Sequence, residues 1–346
     1  MKIHQKTIKR TARRIILTIL LLSAVERQAL AQPSPGKLLV AYSGLITMNT
    51  SLWVAEDLGY FKKHGLDVSA VFTGSGSVTS QTLVAGQVKL AANSVGPVAG
   101  AASGGADIVI LGGLVQILPY QLWVQPQIRQ PAEMKGKRVA VSTFGSGSHL
   151  AVEVALQHIG IEPTRDKIAI MQIGAQPDRM AAVVAGRVDG TALEPGFGKL
   201  AKEKGLNMLT DLTKSDTPYV NTVISAMRGY VKENPQQVEL LLKGIVDALA
   251  VMYNPAQEKA IKGVLAKRLK LTTPESVQEI YDSTLQIHAR TKVPHASIAG
   301  VQNMIDALLR MNPRLGKVRA TDIVDNSFVD RLEKSGYIAE AMKRAR

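Results

Sequence analysis

Two short glycine–serine stretches carry the residue types best suited to binding chemistry: Gly74-Ser75-Gly76-Ser77 and Gly145-Ser146-Gly147-Ser148. Each lies between a segment that reads as a strand and one that reads as a helix. Such a turn points backbone N–H groups and serine hydroxyls outward at the positive end of a helix. That setting suits a carboxylate, a sulfonate or a phosphate. The same residues also suit plain helix capping, and the sequence leaves both readings open. Neither stretch runs on into Gly-Lys-Ser/Thr, so a Walker loop and nucleotide hydrolysis are not indicated.

Other candidate residues are scattered. Glu194-Pro195 follows a strand-like segment, and ligands of open α/β sheets bind at strand C-termini. Trp53 opens a helix beside a polar loop and is either a wall of the site or a core residue. His149 follows the second Gly/Ser stretch, as a ligand neighbour or as a solvated first-turn residue. No catalytic set is visible. His64, His149, His158, His288 and His295 lie apart, and His149 and His158 are nine residues apart rather than at the i, i+4 spacing of a chelating pair. The chain has no cysteine. That excludes disulfides, thiol catalysis, thiolate metal sites and a lipidated N-terminal cysteine. No metal and no cofactor is expected.

The elements that must position these loops repeat. Val84-Ala85-Gly86-Gln87-Val88 recurs as Val184-Ala185-Gly186-Arg187-Val188, and Val40-Ala41-Tyr42-Ser43 as Val139-Ala140-Val141-Ser142, at nearly the same offset. Two matches in one order and register predict two lobes on one plan with a cleft between them. The two Gly/Ser stretches are expected at corresponding places in those lobes. Strand-like segments at 38–42, 66–72, 88–92 and 107–111 alternate with helical ones, a βαβαβ order predicting a largely parallel sheet. The second lobe reads from Gln130-Pro131 onward, with strands near 138–141, 167–173 and 188–193. The stretch 220–227 returns to the first lobe. The C-terminal third is helical: Asn234-Pro235 and Thr273-Pro274 are start signals, and Val238, Leu241, Leu242, Ile245 and Leu249 keep one apolar face. The expected domains are lobe 1 at 36–125 plus 222–346 and lobe 2 at 126–221.

The N-terminus reads as a signal peptide over residues 1–31. Lys2, Lys6, Lys9, Arg10, Arg13 and Arg14 precede an apolar run at 15–25, and Ala29-Leu30-Ala31 offers a cleavage site. Losing those six cations lowers the formal charge from +14 to about +8. Much of the basicity is thus an export device, and no basic stripe interleaved with aromatics supports nucleic-acid binding. An exported, unanchored, soluble chain is expected in a Gram-negative periplasm, and about 315 remaining residues suit two ordinary domains.

The stretch from Leu52-Trp53-Val54-Ala55-Glu56-Asp57-Leu58-Gly59-Tyr60-Phe61 to Lys62-Lys63-His64-Gly65-Leu66-Asp67-Val68 resembles the opening signature of a known family. That family is the ABC-transporter periplasmic substrate-binding proteins of the nitrate/sulfonate/taurine and pyrimidine-precursor group (NMT1/THI5-like). Met134-Lys135-Gly136-Lys137-Arg138-Val139-Ala140-Val141 resembles its second-lobe entry, and Val184–Val188 with Asp189 its repeated "aGxvD" element. Lys89 departs from that pattern, where the first lobe usually carries Asp. The resemblance implies an α/β type II periplasmic-binding fold: two similar α/β lobes joined by a two-segment hinge. It implies a monomer that closes on a small, anionic ligand or a heterocycle and then docks on an ABC permease in the inner membrane. By position, the ligand-contact loops would be Ser43 with Asn49, Thr50 and Ser51; Gly74 to Ser77; Asn93 and Ser94; Ser142 and Gly145 to Ser148; Gln176; and Glu194. Two alternatives share the fold. One is a pyrimidine-precursor synthase, for which His64 is the suspect histidine and which the missing cysteines disfavour. The other is a sensory binding protein reporting to a membrane kinase.

Overall fold

The computed structural model describes residues 37–309 and 311–345. The expected signal peptide at 1–31 lies outside the described residues. The first lobe runs β1 (Leu38–Tyr42), α1 (Thr50–Asp57), α2 (Tyr60–Lys63), β2 (Val68–Phe72), α3 (Gly76–Val84), β3 (Leu90–Ser94), α4 (Val95–Ser103) and β4 (Ile108–Val115). The second runs β5 (Gln121–Val124), β6 (Arg138–Val141), α5 (Gly147–His158), β7 (Ala169–Gln172), α6 (Gln176–Val184), β8 (Gly190–Leu193), α7 (Gly198–Glu203) and β9 (Asn207–Asp211). The chain returns through β10 (Thr222–Met227). It ends in α8 (Arg228–Glu233), α9 (Pro235–Val251), α10 (Glu258–Leu269), α11 (Pro274–His288), α12 (Ile298–Leu308), α13 (Ala320–Ile323), α14 (Ser327–Lys334) and α15 (Tyr337–Arg344).

The two five-stranded sheets have one plan. Their orders are β2-β1-β3-β10-β4 and β7-β6-β8-β5-β9. In each, a strand arriving from the other side of the hinge inserts antiparallel to both neighbours: β10 between β3 and β4, β5 between β8 and β9. The sheets are therefore mixed rather than largely parallel. The βαβ reading missed this because the antiparallel strand comes from outside the run that it joins.

Two further expectations are corrected by this topology. First, β5 pairs within the second sheet, so the first crossing lies at 116–120 and not at 125. Second, the two Gly/Ser stretches are not counterparts. Gly74–Ser77 follows β2, whereas Gly145–Ser148 follows β6, the counterpart of β1. The true partner of Gly74 is Gly174 after β7, and both hold a positive φ, 86° and 110°.

Burial explains the C-terminal helices. Pro235 stands at the first position of α9, and Val238, Leu241, Leu242, Ile245 and Leu249 on its apolar face are fully buried. Each contributes about 1.5–3 kcal/mol of burial. The helix lies on α1, α2 and α15. At Gly244 a Cβ would come within 2.5 Å of the Phe61 ring. Helices α11 and α12 reach further. The former touches both the 3-10 turn Thr47–Asn49 of lobe 1 and the turn Pro195–Phe197 of lobe 2, and the latter touches α4 and α5. The C-terminal segment expected in lobe 1 thus contacts both lobes.

Candidate functional site

A cavity lies between the lobes at the C-terminal ends of the parallel strands. It encloses about 660 Å³ with its mouth included, and residues of both lobes line it. Of the residues expected from the sequence, Ser43, Asn49, Gly74, Gly76, Ser94, Ser142, Ser146, Gly147, Ser148 and Gln176 line it. The remaining wall includes Phe72, Tyr120, Arg179, Asn221 and Thr222.

The first residues or caps of five helices contribute to this lining: Asn49 for α1, Gly76 for α3, Ser94 for α4, Ser146 to Ser148 for α5, and Ala175 with Gln176 for α6. Each brings the positive end of a helix, where the helix itself gives the first N–H groups no partner. Three hydroxyls close a triangle on the lobe 2 side: Ser142 to Ser146 at 2.9 Å, Ser148 to Ser142 at 3.0 Å and Ser146 to Ser148 at 3.1 Å.

Arg179 is the residue that sequence reasoning missed. It is 3% exposed, at the cavity wall, on α6. Its Nε donates to Thr191 Oγ1 at 3.1 Å, Nη1 to the Gly174 carbonyl at 2.8 Å and Nη2 to the Ala192 carbonyl at 3.1 Å. All three acceptors are neutral. Burial pulls its pKa down to about 10, and it keeps its charge at neutral pH. Two of its five N–H donors remain available. The apolar periodicity of α6 hides it, because it falls on the buried face beside Met180 and Val183.

Polar atoms without partners gather around the cavity wall. Gln176 Nε2, Asn221 Nδ2 and Asn49 Oδ1 are buried with no hydrogen-bond partner. An unsatisfied buried polar group costs about 1–3 kcal/mol, and a ligand that meets these groups removes that cost. Asn221 and Tyr120 stand on the hinge segments. These segments are tied at their ends by Asn221 N to Val115 O at 2.8 Å and Leu212 N to Tyr120 O at 2.9 Å.

The remaining expected residues lie elsewhere. Trp53 is fully buried in the lobe 1 core, edge-on to Tyr42. Ser75 caps α3, accepting from Val78 N at 3.4 Å. Thr50 and Ser51 are buried in α1, with the Thr50 hydroxyl donating to the Thr47 carbonyl. Asn93 ties β3 to α3 through Gly76 O and Ser80 Oγ, both at 2.9 Å. Ser77, Gly145 and His149 line a separate apolar groove with Pro97, Phe144, Leu308 and Met311. Burial holds His149 neutral, its pKa lowered to about 4. Glu194 is fully buried and spans the lobes: its Oε2 accepts from Thr47 N at 3.1 Å and from Thr47 Oγ1 at 2.9 Å. His64 sits on the outside of lobe 1, bonded to Asp247 Oδ2 and Tyr337 Oη, both at 3.0 Å. Asp189 pairs with Arg138 at 3.1 Å and so ties β6 to the start of β8. Among the described residues no group of three or more His, Cys, Asp or Glu could hold a metal ion. None of the described helices is long and apolar enough to cross a membrane.

Two sheets of one order, two hinge segments and a polar cleft at the strand ends define a type II periplasmic-binding fold. The chain belongs to the NMT1/THI5-like family, whose model it matches over residues 47–258. A protein of Brachyspira hyodysenteriae (strain ATCC 49526 / WA1), named as an ABC transporter periplasmic binding protein, is 28% identical over 117 residues, 34% of this chain. The match spans only 32% of that relative's length. The periplasmic nitrate-binding protein NrtA from Synechocystis PCC 6803 superposes with a TM-score of 0.73 at 13% identity, covering 88% of this chain and 90% of its own. The alkanesulfonate-binding protein SsuA from Xanthomonas axonopodis pv. citri, bound to MOPS, gives 0.67 at 20% identity, covering 84% and 98%. At these identities the likeness is one of fold.

Proposed function

We propose that this protein is the exported, periplasmic solute-binding component of an ABC importer. It takes a small organic anion or an anionic heterocycle into the interlobe cleft, closes on it as a monomer and presents the closed form to an inner-membrane permease. Catalysis is not part of this role. The observation that carries the reading is Arg179, a buried guanidinium at the cleft wall whose hydrogen bonds all go to neutral oxygens. Glu194 and Asp178 lie within coulombic reach, but no carboxylate bonds the guanidinium directly, and an anion entering the cleft can do so. Five helix N-termini and the serine triangle act in the same direction. Family membership and the names of the proteins it resembles support both the ligand class and the transport role. Closure is a population shift, because a ligand can touch both walls only when the lobes meet.

The synthase alternative gains no support from the placement of His64, which is outside the cleft lining and engaged by Asp247 and Tyr337. The test is a thermal-shift screen of sulfonates, nitrate, carboxylates and pyrimidines, followed by calorimetry. A stabilising anion that loses binding in Arg179→Gln but not in His64→Gln supports the reading. Finding no stabilising compound, or finding turnover of one that needs His64, overturns it.

A further inference from the structure

Glu194 was expected to touch ligand, yet it does not line the cleft. Its carboxylate lies at the end of β8 in lobe 2, and both donors to Oε2 belong to Thr47 in lobe 1. This is a direct bond from lobe to lobe. The contact is fully buried, and α11 packs over both of the turns that carry it. Gly196, two residues on, meets Ile280 of α11 so closely that a Cβ would lie 2.6 Å from its Cδ1. Gln176 accepts from Glu194 N at 2.5 Å and also lines the cleft, linking the bond to the ligand wall.

The other carboxylate oxygen, Oε1, is buried without a partner. A half-satisfied buried carboxylate is costly as an anion and much less so as a neutral acid. We propose that the Thr47–Glu194 contact is a latch between the lobes and that Glu194 is a positioning residue that takes up a proton as closure buries it, so that proton uptake favours the closed state. The proposal rests on the reading that the lobes open and close, but not on the identity of any ligand.

Burial pushes Glu194 up to about 7 in the closed state. Opening exposes it, returning it toward an ordinary value of about 4.3. The sign follows directly: the closed state binds the proton more tightly, so closure is favoured below the closed-state value and is lost as pH rises through it. The charged and titratable groups on the surrounding elements are Arg179 and Asp178 on α6, Tyr120 just before β5, and Glu275, Glu279, Tyr281, Asp282 and His288 on α11; the Thr47–Asn49 turn has none. His149, in the groove between the lobes, has the opposite sign, because burial lowers its pKa.

The absence of cysteine makes the test direct. Gln87 and Arg187 are exposed and occupy matching places in the two lobes. Spin labels on Gln87→Cys and Arg187→Cys report the interlobe distance without ligand, from pH 5.5 to 8.5. The closed-to-open ratio is expected to fall about tenfold between pH 6 and pH 8. Glu194→Gln, neutral at every pH, is expected to lose that fall, and Thr47→Val to shift the ratio toward open throughout. An unchanged fall in Glu194→Gln would place the response in another group and overturn the proposal; His149 would give a rise instead. So would a wild-type distance that is the same at every pH. Finding no ligand for the cleft would leave this measurement intact, so the two readings fail separately.

Discussion

Gly96 of lobe 1 rests against the carbonyl of Gly145 in lobe 2, with so little room that a Cβ on Gly96 would sit 2.7 Å from that oxygen. Leu308 Cδ1 would be 2.8 Å away on another side. Both glycines line the apolar groove. A methyl group has no place between them in the closed state, whereas an open state has no contact to violate. Gly96→Ala is therefore expected to hold the lobes apart. The labelled protein should show the open distance, with little loss of thermal stability. A closed distance in Gly96→Ala would show that the contact is compliant.

Arg179 separates charge from geometry. Arg179→Lys keeps a positive charge but loses the fork that holds Gly174, Thr191 and Ala192 together. Anion affinity should fall on the order of tenfold to a hundredfold in the lysine variant and further in Arg179→Gln, consistent with about 1.5–3 kcal/mol for hydrogen bonds to charged groups. Calorimetry with a stabilising anion reads this. Equal affinity in all three proteins would place the anion elsewhere.

The two capping serines should respond differently. Ser75 accepts from Val78 N and does not line the cleft, whereas Ser146 accepts from His149 N and does line it. Either change to Ala is expected to lower stability by about 1 kcal/mol through loss of the cap. Only Ser146→Ala should also weaken ligand. Urea titrations and calorimetry on the same pair of variants separate the effects.

Asp247 anchors the C-terminal helix. It lies on α9 and accepts from Lys63 at 2.7 Å, His64 at 3.0 Å and Tyr337 at 3.0 Å. Burial opposes its charge, but these bonds win and hold its pKa below the usual carboxylate value. A depressed carboxylate stabilises above the unfolded-state pKa and loses that contribution as pH falls through the folded-state value. Asp247→Asn should therefore lose on the order of 2 kcal/mol at pH 7. Its stability deficit should shrink below about pH 4. Thermal unfolding from pH 3 to 7 tests both statements.

The sequence showed the elements better than their partners. Periodicity and start signals placed β1 and the starts of α9 and α11 within a residue or two, because each carries its own pattern. Half of the cleft lining was also legible, since Ser43, Ser142 and the glycine-rich turns carry recognisable loop chemistry. What was hidden depends on distant contacts. Nothing local in Gln121–Val124 says that it inserts between β8 and β9. Nothing around Arg179 distinguishes a buried cation from an exposed one. Glu194 was singled out as a ligand contact, yet it does not line the cleft; its partner Thr47 lies 147 residues away, a pairing that no spacing could show. The hundred-residue repeat was real, yet it paired Gly74 with Gly174 rather than with Gly145.

The insertion of β10 into the first sheet has a consequence for the order in which the chain assembles. Every strand of the second sheet lies within one unbroken stretch, 121–211. That lobe can complete its pairing as soon as the stretch is available. The first sheet has a gap between β3 and β4 that only residues 222–227 can fill, more than a hundred residues downstream of β4. Until they arrive, β3 and β4 each present an unpaired edge. The N-terminal lobe is thus begun first and finished last, and the long-range closure of its sheet is the slow step expected in folding.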